Sequence, residues 1–328
     1  MSETPIPAGN LGSPVRRAVI PAAGLGTRLL PATRAQPKEM LPLGTTPVIQ
    51  RVAEELVAAG LDQALIITGQ GKESIQDHFD PAYNADYVPE ASHPDLNVFD
   101  RANLRLYYTR QVSPRGLGDA LLHGADFAGE QDFVVALGDC AIVGDGRPSL
   151  LERLLATHAS RGAAATIAVQ RVSAEQTRRY GIVAVDMGHR RDAGATAAGE
   201  DWEAFPVTGI VEKPGPEAAP SRWAVSARYV FSPRLFDFLR ETTPGYGGEI
   251  QLTDAIEAMI KAGLPVWVVP LGEKEIRLDV GNNLAYSRAF MRTVLSDPET
   301  GPALREYAAA LLDLLAGQRT PDPDRAPD

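Results

Sequence analysis

The sequence predicts an α/β protein whose sheet is mostly parallel and is covered by helices on both faces. Short runs of apolar, often β-branched residues alternate with segments in which apolar residues recur at helical spacing. Such alternation is typical of parallel sheets, whose strands are buried on both sides. No Pro/Ser-rich linker interrupts residues 15–315, so one continuous domain is expected.

Each element follows from its local pattern. Residues 15–21 form a short apolar run that ends in glycine-rich sequence, as a buried strand does. Residues 47–59 have helical periodicity and stop at Gly60. By the same criteria the further predicted strands are 64–68, 104–109, 133–137, 164–169, 225–231, 266–270 and 276–279, and the further predicted helices are 72–79, 119–127, 150–160, 233–241, 251–261 and 302–315. Residues 187–205 are rich in Gly, Ala and charge and are predicted as a loop or hairpin.

Composition excludes several classes of protein. Of the 328 residues, 44% are hydrophobic and 23% are charged, as in a globular chain that buries a large core. The formal net charge of −10 argues against nonspecific nucleic-acid binding, which needs a basic surface. The single Cys140 excludes an intramolecular disulfide and a Cys-based zinc site. The sequence has no signal-peptide core and no apolar stretch of about 18 residues, so we expect no membrane span and a cytoplasmic location.

The predicted organisation is a main domain at 15–300 and a C-terminal helix at 301–317, with flexible tails at 1–14 and 318–328. The C-terminal helix carries an apolar stripe, which favours self-association and hence a homo-oligomer; the alternative is packing on its own domain. The stripe consists of Leu304, Tyr307, Leu311, Leu312 and Leu315.

The strongest local signal follows the first strand. Gly24 and Gly26 form a loop whose backbone can come close to a ligand and offer N–H groups to phosphate oxygens. Arg28 and Lys38 add charge that neutralises phosphate. A dinucleotide fingerprint would need glycine where the chain has Leu29, so a nicotinamide-dependent dehydrogenase is disfavoured. A plain tight turn is the alternative.

Two carboxylates end predicted strands. Asp139 follows the apolar run 134–137, and Asp279 ends the run 276–279. Ligands of open α/β sheets bind outside the carboxyl ends of the strands, and Mg²⁺ usually takes one or two carboxylates plus phosphate oxygens. The two acids therefore are candidate Mg²⁺ ligands. The alternatives are a cap or turn at Asp139 and a turn at Asp279.

Three further segments carry polar groups. Gln111 offers an amide for hydrogen bonds to a base edge, and Gly116 and Gly118 allow flat packing against a ring; the alternative is a helix N-terminus capped by Asp119. Glu212 and Lys213 are adjacent, so on a strand they would point to opposite faces. Gly69-Gln-Gly-Lys72 lacks the spacing of a P-loop and is interpreted as a surface loop.

Together and in this order, the motifs resemble the sugar-1-phosphate nucleotidylyltransferases, and most of all their bacterial UDP-glucose pyrophosphorylase branch. The resemblance covers about residues 15–295. It is carried by Ile20-Pro-Ala-Ala-Gly-Leu-Gly-Thr-Arg-Leu-Leu-Pro-Ala-Thr33, Pro37-Lys-Glu-Met-Leu-Pro-Leu43, Val211-Glu-Lys-Pro214, Gly248-Glu-Ile-Gln-Leu-Thr-Asp-Ala-Ile256 and Asp279-Val-Gly-Asn282.

The resemblance implies a Rossmann-like mixed sheet with a small sugar-side subdomain, and a Mg²⁺-dependent reaction of UTP with glucose 1-phosphate. It implies the following roles. The nucleotide site would contain Ala23, Gly24, Glu39, Gln111 and Gly116; the catalytic cations would be Arg28, Lys38 and Lys213; the sugar site would contain Gly181, Glu212 and Lys213; and Asp139 and Asp279 would hold Mg²⁺. Asp119, which departs from the family pattern, is expected beside the nucleotide site as a further nucleotide-binding residue.

Three departures from the family pattern bear on the substrates. Gly138 precedes Asp139 where the uridylyltransferases usually have proline, Asp119 replaces a usual histidine, and Ala227 adds a methyl near the expected sugar pocket. The same chemistry with dTTP or with galactose 1-phosphate is therefore an alternative. A third hypothesis is a regulatory relative that only binds nucleotide sugar. A protein that only binds would not need all five charged residues of the site, so their presence disfavours it: Arg28, Lys38, Asp139, Lys213 and Asp279.

Overall fold

We describe the fold from a computed structural model, in which residues 15–80, 104–144, 146–186 and 202–316 are described. The predicted tails at 1–14 and 318–328, and most of the predicted loop at 187–205, lie outside these ranges. The strands are β1 (Arg17–Pro21), β2 (Pro42–Leu43), β3 (Thr46–Pro47), β4 (Gln63–Thr68), β5 (Arg105–Arg110), β6 (Phe133–Ala136), β7 (Cys140–Val143), β8 (Ala165–Arg171), β9 (Gly181–Val185), β10 (Phe205–Glu212), β11 (Trp223–Phe231), β12 (Val266–Pro270) and β13 (Ile276–Asp279).

The helices follow the same order. They are α1 (Val48–Ala58), α2 (Glu73–Phe79), α3 (Leu117–Leu122), α4 (Ala125–Ala128), α5 (Leu150–Ser160), α6 (Leu235–Glu241), α7 (Leu252–Lys261), α8 (Asn283–Ser296) and α9 (Gly301–Leu315). Short 3-10 turns add Thr27–Leu29 and Lys38–Met40, which carry site residues. In the described ranges no helix is long and apolar enough to cross a membrane.

Nine of the described strands form one large mixed sheet in the order β5-β4-β1-β6-β11-β8-β12-β10-β9, with β9 also pairing with β11, and the pairs β2–β3 and β7–β13 form two small sheets. Strands β5, β4, β1 and β6 are all parallel, as is the pair β8–β12. The pairings of β11 with β6, β8 and β9, and of β10 with β12 and β9, are antiparallel. The large sheet contains more antiparallel pairings than the alternation of strands and helices in the sequence predicts. Its antiparallel pairings all involve strands β10 or β11 of the second half of the chain.

Both faces of the sheet are buried, so the predicted α/β fold with helices on both sides is confirmed. Val19 packs in the core beneath α3, α6 and α7, while its neighbours Ala18 and Ile20 pack in the core beneath α1 and α5. Successive strand residues point to opposite faces, and here each face meets its own helical layer. A third, smaller core lies between α8 and the two-stranded sheets β2–β3 and β7–β13.

Most predicted elements are confirmed within one or two residues, and the exceptions have local causes. The predicted helix 119–127 is wrong as one element: it is divided into α3 and α4 at Gly124, which packs closely against Val19 of β1. Strands β7, β9 and β10 and helix α8 were not predicted as separate elements. The β9 strand is a short apolar run of five residues that the sequence interpretation missed, and β10 alternates between buried and more exposed residues, so it lacks a continuous apolar run.

A buried arginine connects these layers to the turn after β6. The side chain of Arg228, which is fully buried, donates from Nε and Nη2 to the carboxylate of Glu55 on α1, at 2.7–3.2 Å. Nη2 also donates to the carbonyl of Cys140 at 2.9 Å. The preceding Ala227 has a φ of +61° at a bulge in β11 and accepts from the backbone N–H of Leu137. These contacts fix the turn that carries Asp139.

Candidate active site

The site lies where the parallel strands β4, β1 and β6 end. The N–H of Ala22, just after β1, donates to the carbonyl of Ile67 in β4 at 2.8 Å. On the other side, the N–H of Gly138 donates to the carbonyl of Pro21 at 3.3 Å. Adjacent strand ends thus bring the glycine-rich loop and the Asp139 turn together, which is where open α/β sheets bind ligands.

The glycine-rich loop presents backbone and positive charge. Gly26 has a φ of +66°, which suits glycine, and its carbonyl accepts from the hydroxyl of Thr33 at 2.8 Å. The following 3-10 turn exposes Arg28. Gly24 faces Lys38 so closely that an added Cβ would lie 3.5 Å from Nζ. The loop therefore forms a cradle flanked by two cations, as phosphate binding requires.

Lys38 and Asp139 form an ion pair at the centre of this cradle. Burial alone would lower the pKa of Lys38, but the carboxylates of Asp139 and Glu39 together outweigh burial and raise it. Burial alone would raise the pKa of Asp139, but the ammonium of Lys38 lowers it. Each group therefore keeps the other charged, and the pair offers one cation and one anion at the strand edge.

Asp279 reaches the same edge from a distant part of the sequence. Strand β13 pairs with β7 so that Asp279 lies opposite Cys140, the neighbour of Asp139. The N–H of Val280 donates to the carbonyl of Asp139 at 3.1 Å. These backbone contacts place the two acids at the same strand edge; the described ranges contain no group of three or more His, Cys, Asp or Glu suited to a metal. Two carboxylates at one strand edge are the kind of ligand that Mg²⁺ prefers, with phosphate oxygens completing its shell.

Arg277 links this acid pair to the strand that carries Gly181, and the sequence interpretation missed it. Its guanidinium donates to Asp279 Oδ1 at 3.3 Å and to the Sγ of Cys140 at 3.2 Å. It also lies over the ring of Tyr180, 4.9 Å from the centroid. Nothing in its local sequence distinguishes it from an ordinary strand residue, so no signal could have found it.

On the other side of the cradle, Gln111, Gly116 and Asp119 lie together. Gln111 follows β5, and its amide nitrogen donates to Asp119 at 2.6 Å and to the carbonyl of Gly116 at 3.3 Å. Gly116 has a φ of +109°, and an added Cβ would lie 2.7 Å from the carbonyl oxygen of Ile250. Helix α3 begins after Gly116, and Asp119 is buried inside its first turn. The alternative of Asp119 as the N-cap is therefore wrong.

Glu39 and Lys72 form a second buried ion pair, with 2.6 Å between Oε2 and Nζ. Their side chains are 1% and 6% exposed, so the interpretation of residues 69–72 as a surface loop is wrong for Lys72. Burial raises the pKa of Glu39 more than Lys72 lowers it. The carboxylate of Glu39 is thus occupied by a neighbour, and its expected place in the nucleotide site stays a prediction.

The expected sugar-site residues meet at the far strands. Gly181 pairs with Glu212 in the β9–β10 register, and the hydroxyl of Thr253 on α7 donates to Glu212 Oε2 at 3.1 Å. Lys213 has a φ of +46°, which is strained for a side chain of this kind. The strain turns its ammonium back to Glu212 Oε1, at 2.9 Å, so the expectation that the two point to opposite faces is wrong.

Lys213 has a second neighbour that the sequence interpretation missed. Its Nζ lies 4.8 Å from the ring centroid of Tyr246, which is 58% exposed. Tyr246 sits between glycines, and Gly247 and Gly248 both have positive φ. An exposed aromatic on a glycine-rich turn beside a strained lysine is typical of a binding site, and this combination was visible only in the fold.

Known proteins share the sequence pattern and the fold of this chain. The model of the nucleotidyl transferase family matches residues 17–294. UTP–glucose-1-phosphate uridylyltransferases of Streptococcus pneumoniae and Mycoplasma pneumoniae are each 39% identical over 303 residues, covering 91% and 90% of this chain and 97% and 99% of theirs.

Solved structures give the same result. A UDP-glucose pyrophosphorylase from Acinetobacter baumannii has a TM-score of 0.74 at 33% identity, over 90% of this chain and 99% of that one. Another, complexed with UDP-glucose, has a TM-score of 0.73 at 32% identity, over 84% of this chain and 97% of that one. The chain therefore belongs to the nucleotidyl transferase family, with bacterial UDP-glucose pyrophosphorylases among its relatives.

Proposed function

We propose that the protein is a Mg²⁺-dependent uridylyltransferase that converts UTP and glucose 1-phosphate into UDP-glucose and pyrophosphate. The observation that carries the proposal is the convergence of Lys38, Asp139 and Asp279 beside the glycine-rich loop. It is supported by the 39% identity to enzymes named for this reaction over about nine-tenths of the chain. Relatives of the same fold have been solved with UTP and with UDP-glucose.

The chemistry follows from charge. An oxygen of the sugar phosphate attacks the α-phosphorus of UTP; the bond from that phosphorus to the bridging oxygen breaks, and pyrophosphate leaves with the electron pair. Both reactants are anions, so catalysis consists mainly of positioning and charge neutralisation. Arg28 and Lys38 would hold the triphosphate and the leaving pyrophosphate. Lys213 would hold the sugar phosphate, and Gly181 and Glu212 would contact sugar hydroxyls.

Asp139 and Asp279 would hold Mg²⁺, whose charge would neutralise phosphate oxygens. Their fit rests on the donor set: two carboxylates at one strand edge, of which Asp139 has its pKa lowered by Lys38 against the effect of burial and is therefore ionised. Lys38 would exchange part of its contact with Asp139 for a phosphate oxygen when substrate binds.

No protein nucleophile is required. Cys140 follows Asp139 but is buried, and burial raises the pKa of its thiol, so it stays protonated and weakly nucleophilic. Its Sγ accepts a hydrogen bond from Arg277 instead. The reaction we propose is therefore a single displacement without a covalent enzyme intermediate.

The test is pyrophosphate release by purified protein with Mg²⁺. UTP, dTTP, ATP, GTP and CTP are each combined with glucose, galactose, mannose and N-acetylglucosamine 1-phosphates. We expect the highest kcat/KM for UTP with glucose 1-phosphate. A preference for dTTP or for galactose 1-phosphate would replace the substrates in this proposal, and no release from folded protein would support the regulatory hypothesis.

Two variants test the roles. Asp139→Asn and Lys213→Ala should each lower kcat/KM at least a hundredfold while leaving the protein folded. Asp237→Asn and Lys261→Ala, at exposed positions on α6 and α7, are the matched controls. Wild-type rates in Asp139→Asn and Lys213→Ala would refute the assigned roles.

We also propose that the protein forms homo-oligomers through its C-terminal helix. Helix α9 packs against α8, yet Leu312 and Leu315 are 66% and 74% exposed. Removing residues 300–328 should reduce the number of subunits per particle, as calculated from the molar mass measured by light scattering after gel filtration. An unchanged oligomeric state would contradict this contact. The cytoplasmic location expected from the sequence stays a prediction.

A further inference from the structure

Asp119 is a buried carboxylate that the proposed reaction does not use. It is 2% exposed in the first turn of α3, and both of its oxygens are occupied. Oδ2 accepts from Nε2 of Gln111 at 2.6 Å, and Oδ1 accepts from the guanidinium of Arg115 at 2.7 Å. A carboxylate is kept in such a place only when donors satisfy it, and here the donors include the amide of Gln111.

This contact decides which way the Gln111 amide faces. An ionised carboxylate only accepts hydrogen bonds, so the amide must turn its nitrogen toward Asp119. The same nitrogen donates its second hydrogen to the carbonyl of Gly116 at 3.3 Å. The reversed orientation would place the amide oxygen against both acceptors.

The rest of Gln111 is equally constrained. Its backbone N–H donates to the carbonyl of Thr68 at 2.9 Å, and its side chain is almost fully buried. Within the described part of the chain, Oε1 accepts no hydrogen bond. The amide therefore offers a ligand one acceptor and no donor.

We propose that Asp119 is a positioning residue that fixes Gln111 as an acceptor and thereby selects the base. The proposal rests on the nucleotide site of the proposed function. Uracil and thymine carry an N–H at position 3 that Oε1 can accept, whereas cytosine has an acceptor there. Two facing acceptors in a buried site are strongly unfavourable. Asp119 thus excludes cytosine, while the choice between uracil and thymine depends on other contacts.

The test is Asp119→Asn. Because Arg115 still donates, the new amide would turn its oxygen to Arg115 and its N–H₂ group to Gln111. Gln111 is then held in its wild-type orientation only by the 3.3 Å contact with the carbonyl of Gly116, so the reversed orientation, which presents N–H groups to the base, becomes populated. The ratio of kcat/KM for UTP to that for CTP, both with glucose 1-phosphate, should fall at least tenfold relative to the wild type. Asp126→Asn, which makes the same charge change at an exposed position of α4, should leave the ratio unchanged.

A second measurement uses only the wild-type protein, so it does not depend on the variant folding. N3-methyl-UTP lacks the donor, and 5-methyl-UTP has a methyl of the same size elsewhere on the base. We expect the N3-methyl nucleotide to be used at least tenfold less efficiently than the 5-methyl one. Equal use of the two, or an unchanged ratio of UTP to CTP in folded Asp119→Asn, would overturn the inference.

Failure of the proposed function gives a different result. If the wild type turns over UTP and glucose 1-phosphate but the ratio does not move, the inference alone is wrong. If the wild type releases no pyrophosphate, calorimetric dissociation constants of UTP and CTP replace kcat/KM. A UTP preference that is lost in Asp119→Asn would then support the inference without the reaction, and equal binding would overturn it.

Discussion

Replacing Lys38 by methionine removes a charge at the centre of the site while keeping a stem of similar length. Lys38 and Asp139 are 15% and 20% exposed, so they form a largely buried ion pair. Removing one partner of a fully buried pair costs about 3–5 kcal/mol, because the other charge is left unpaired. Because both side chains remain partly exposed to solvent, we expect Lys38→Met to lose less unfolding free energy than that, about 2–3 kcal/mol. The melting temperature should fall by about 4–10 °C for a domain of this size.

The pH dependence of this loss identifies its cause. Burial would raise the pKa of Asp139, but the Lys38 ammonium lowers it below its ordinary value. A lowered folded pKa contributes stability that is present above the unfolded pKa and is lost as the pH falls through the folded pKa. The difference in unfolding free energy between wild type and Lys38→Met should therefore be complete at neutral pH and shrink below about pH 4.

Lys38→Met should also lower the catalytic activity. If Lys38 neutralises phosphate charge in the transition state, its loss should lower kcat/KM about 10²–10³-fold. Urea denaturation across pH and pyrophosphate release at pH 7.5 measure the two effects, with the exposed Lys261→Met as control. Turnover like that of the wild type, or a stability difference that does not change with pH, would refute the reasoning.

Three further predictions concern neighbouring groups. Lys72→Met should cost about 3–5 kcal/mol of stability, because this lysine and its carboxylate partner are almost fully buried; urea denaturation measures it, and a loss below that of Lys38→Met would contradict it. Tyr246→Leu removes the ring beside Lys213 and should raise the KM for glucose 1-phosphate about 2–5-fold, with the KM for UTP unchanged; equal changes in both would argue against a sugar-side role. Gly116→Ala adds a Cβ at a φ of +109° and 2.7 Å from a backbone oxygen, so it should cost about 2–4 kcal/mol and weaken UTP binding in calorimetry; a stable variant with normal affinity would show that the loop moves freely.

The fold was predictable where local pattern and tertiary environment agree. Strands such as β6 are buried on both faces and therefore appear in the sequence as continuous apolar runs. The bounds of helix α5 agree with its predicted range, and its start is fixed by a capping box of Ser149 and Glu152. Strand β10 has no such signal, since buried residues alternate in it with more exposed ones, and β9 has an apolar run of only five residues.

The candidate site was predictable in its charged and glycine residues but not in their partners. Asp139 and Asp279 are both predictable as site residues from their positions at strand ends. Their placement at the same edge depends on the pairing of β7 with β13, which the sequence does not reveal. Arg277 and Lys72 could not be predicted, because each owes its place to a buried acidic or aromatic neighbour far away in sequence. The positive φ of Lys213 is equally invisible, since strained non-glycine residues leave no pattern in composition or spacing.

Exchange of labelled pyrophosphate into UTP tests the central claim most directly, because it reports both the reaction and its single-displacement course. The protein is incubated with Mg²⁺, UTP and labelled pyrophosphate, with and without glucose 1-phosphate. We expect label to enter UTP only when glucose 1-phosphate is present. In a single displacement, labelled pyrophosphate re-forms UTP only by reacting with UDP-glucose, and UDP-glucose is made only from glucose 1-phosphate. Exchange without the sugar phosphate would reveal a covalent uridylyl intermediate, and no exchange in either case would contradict the proposed activity itself.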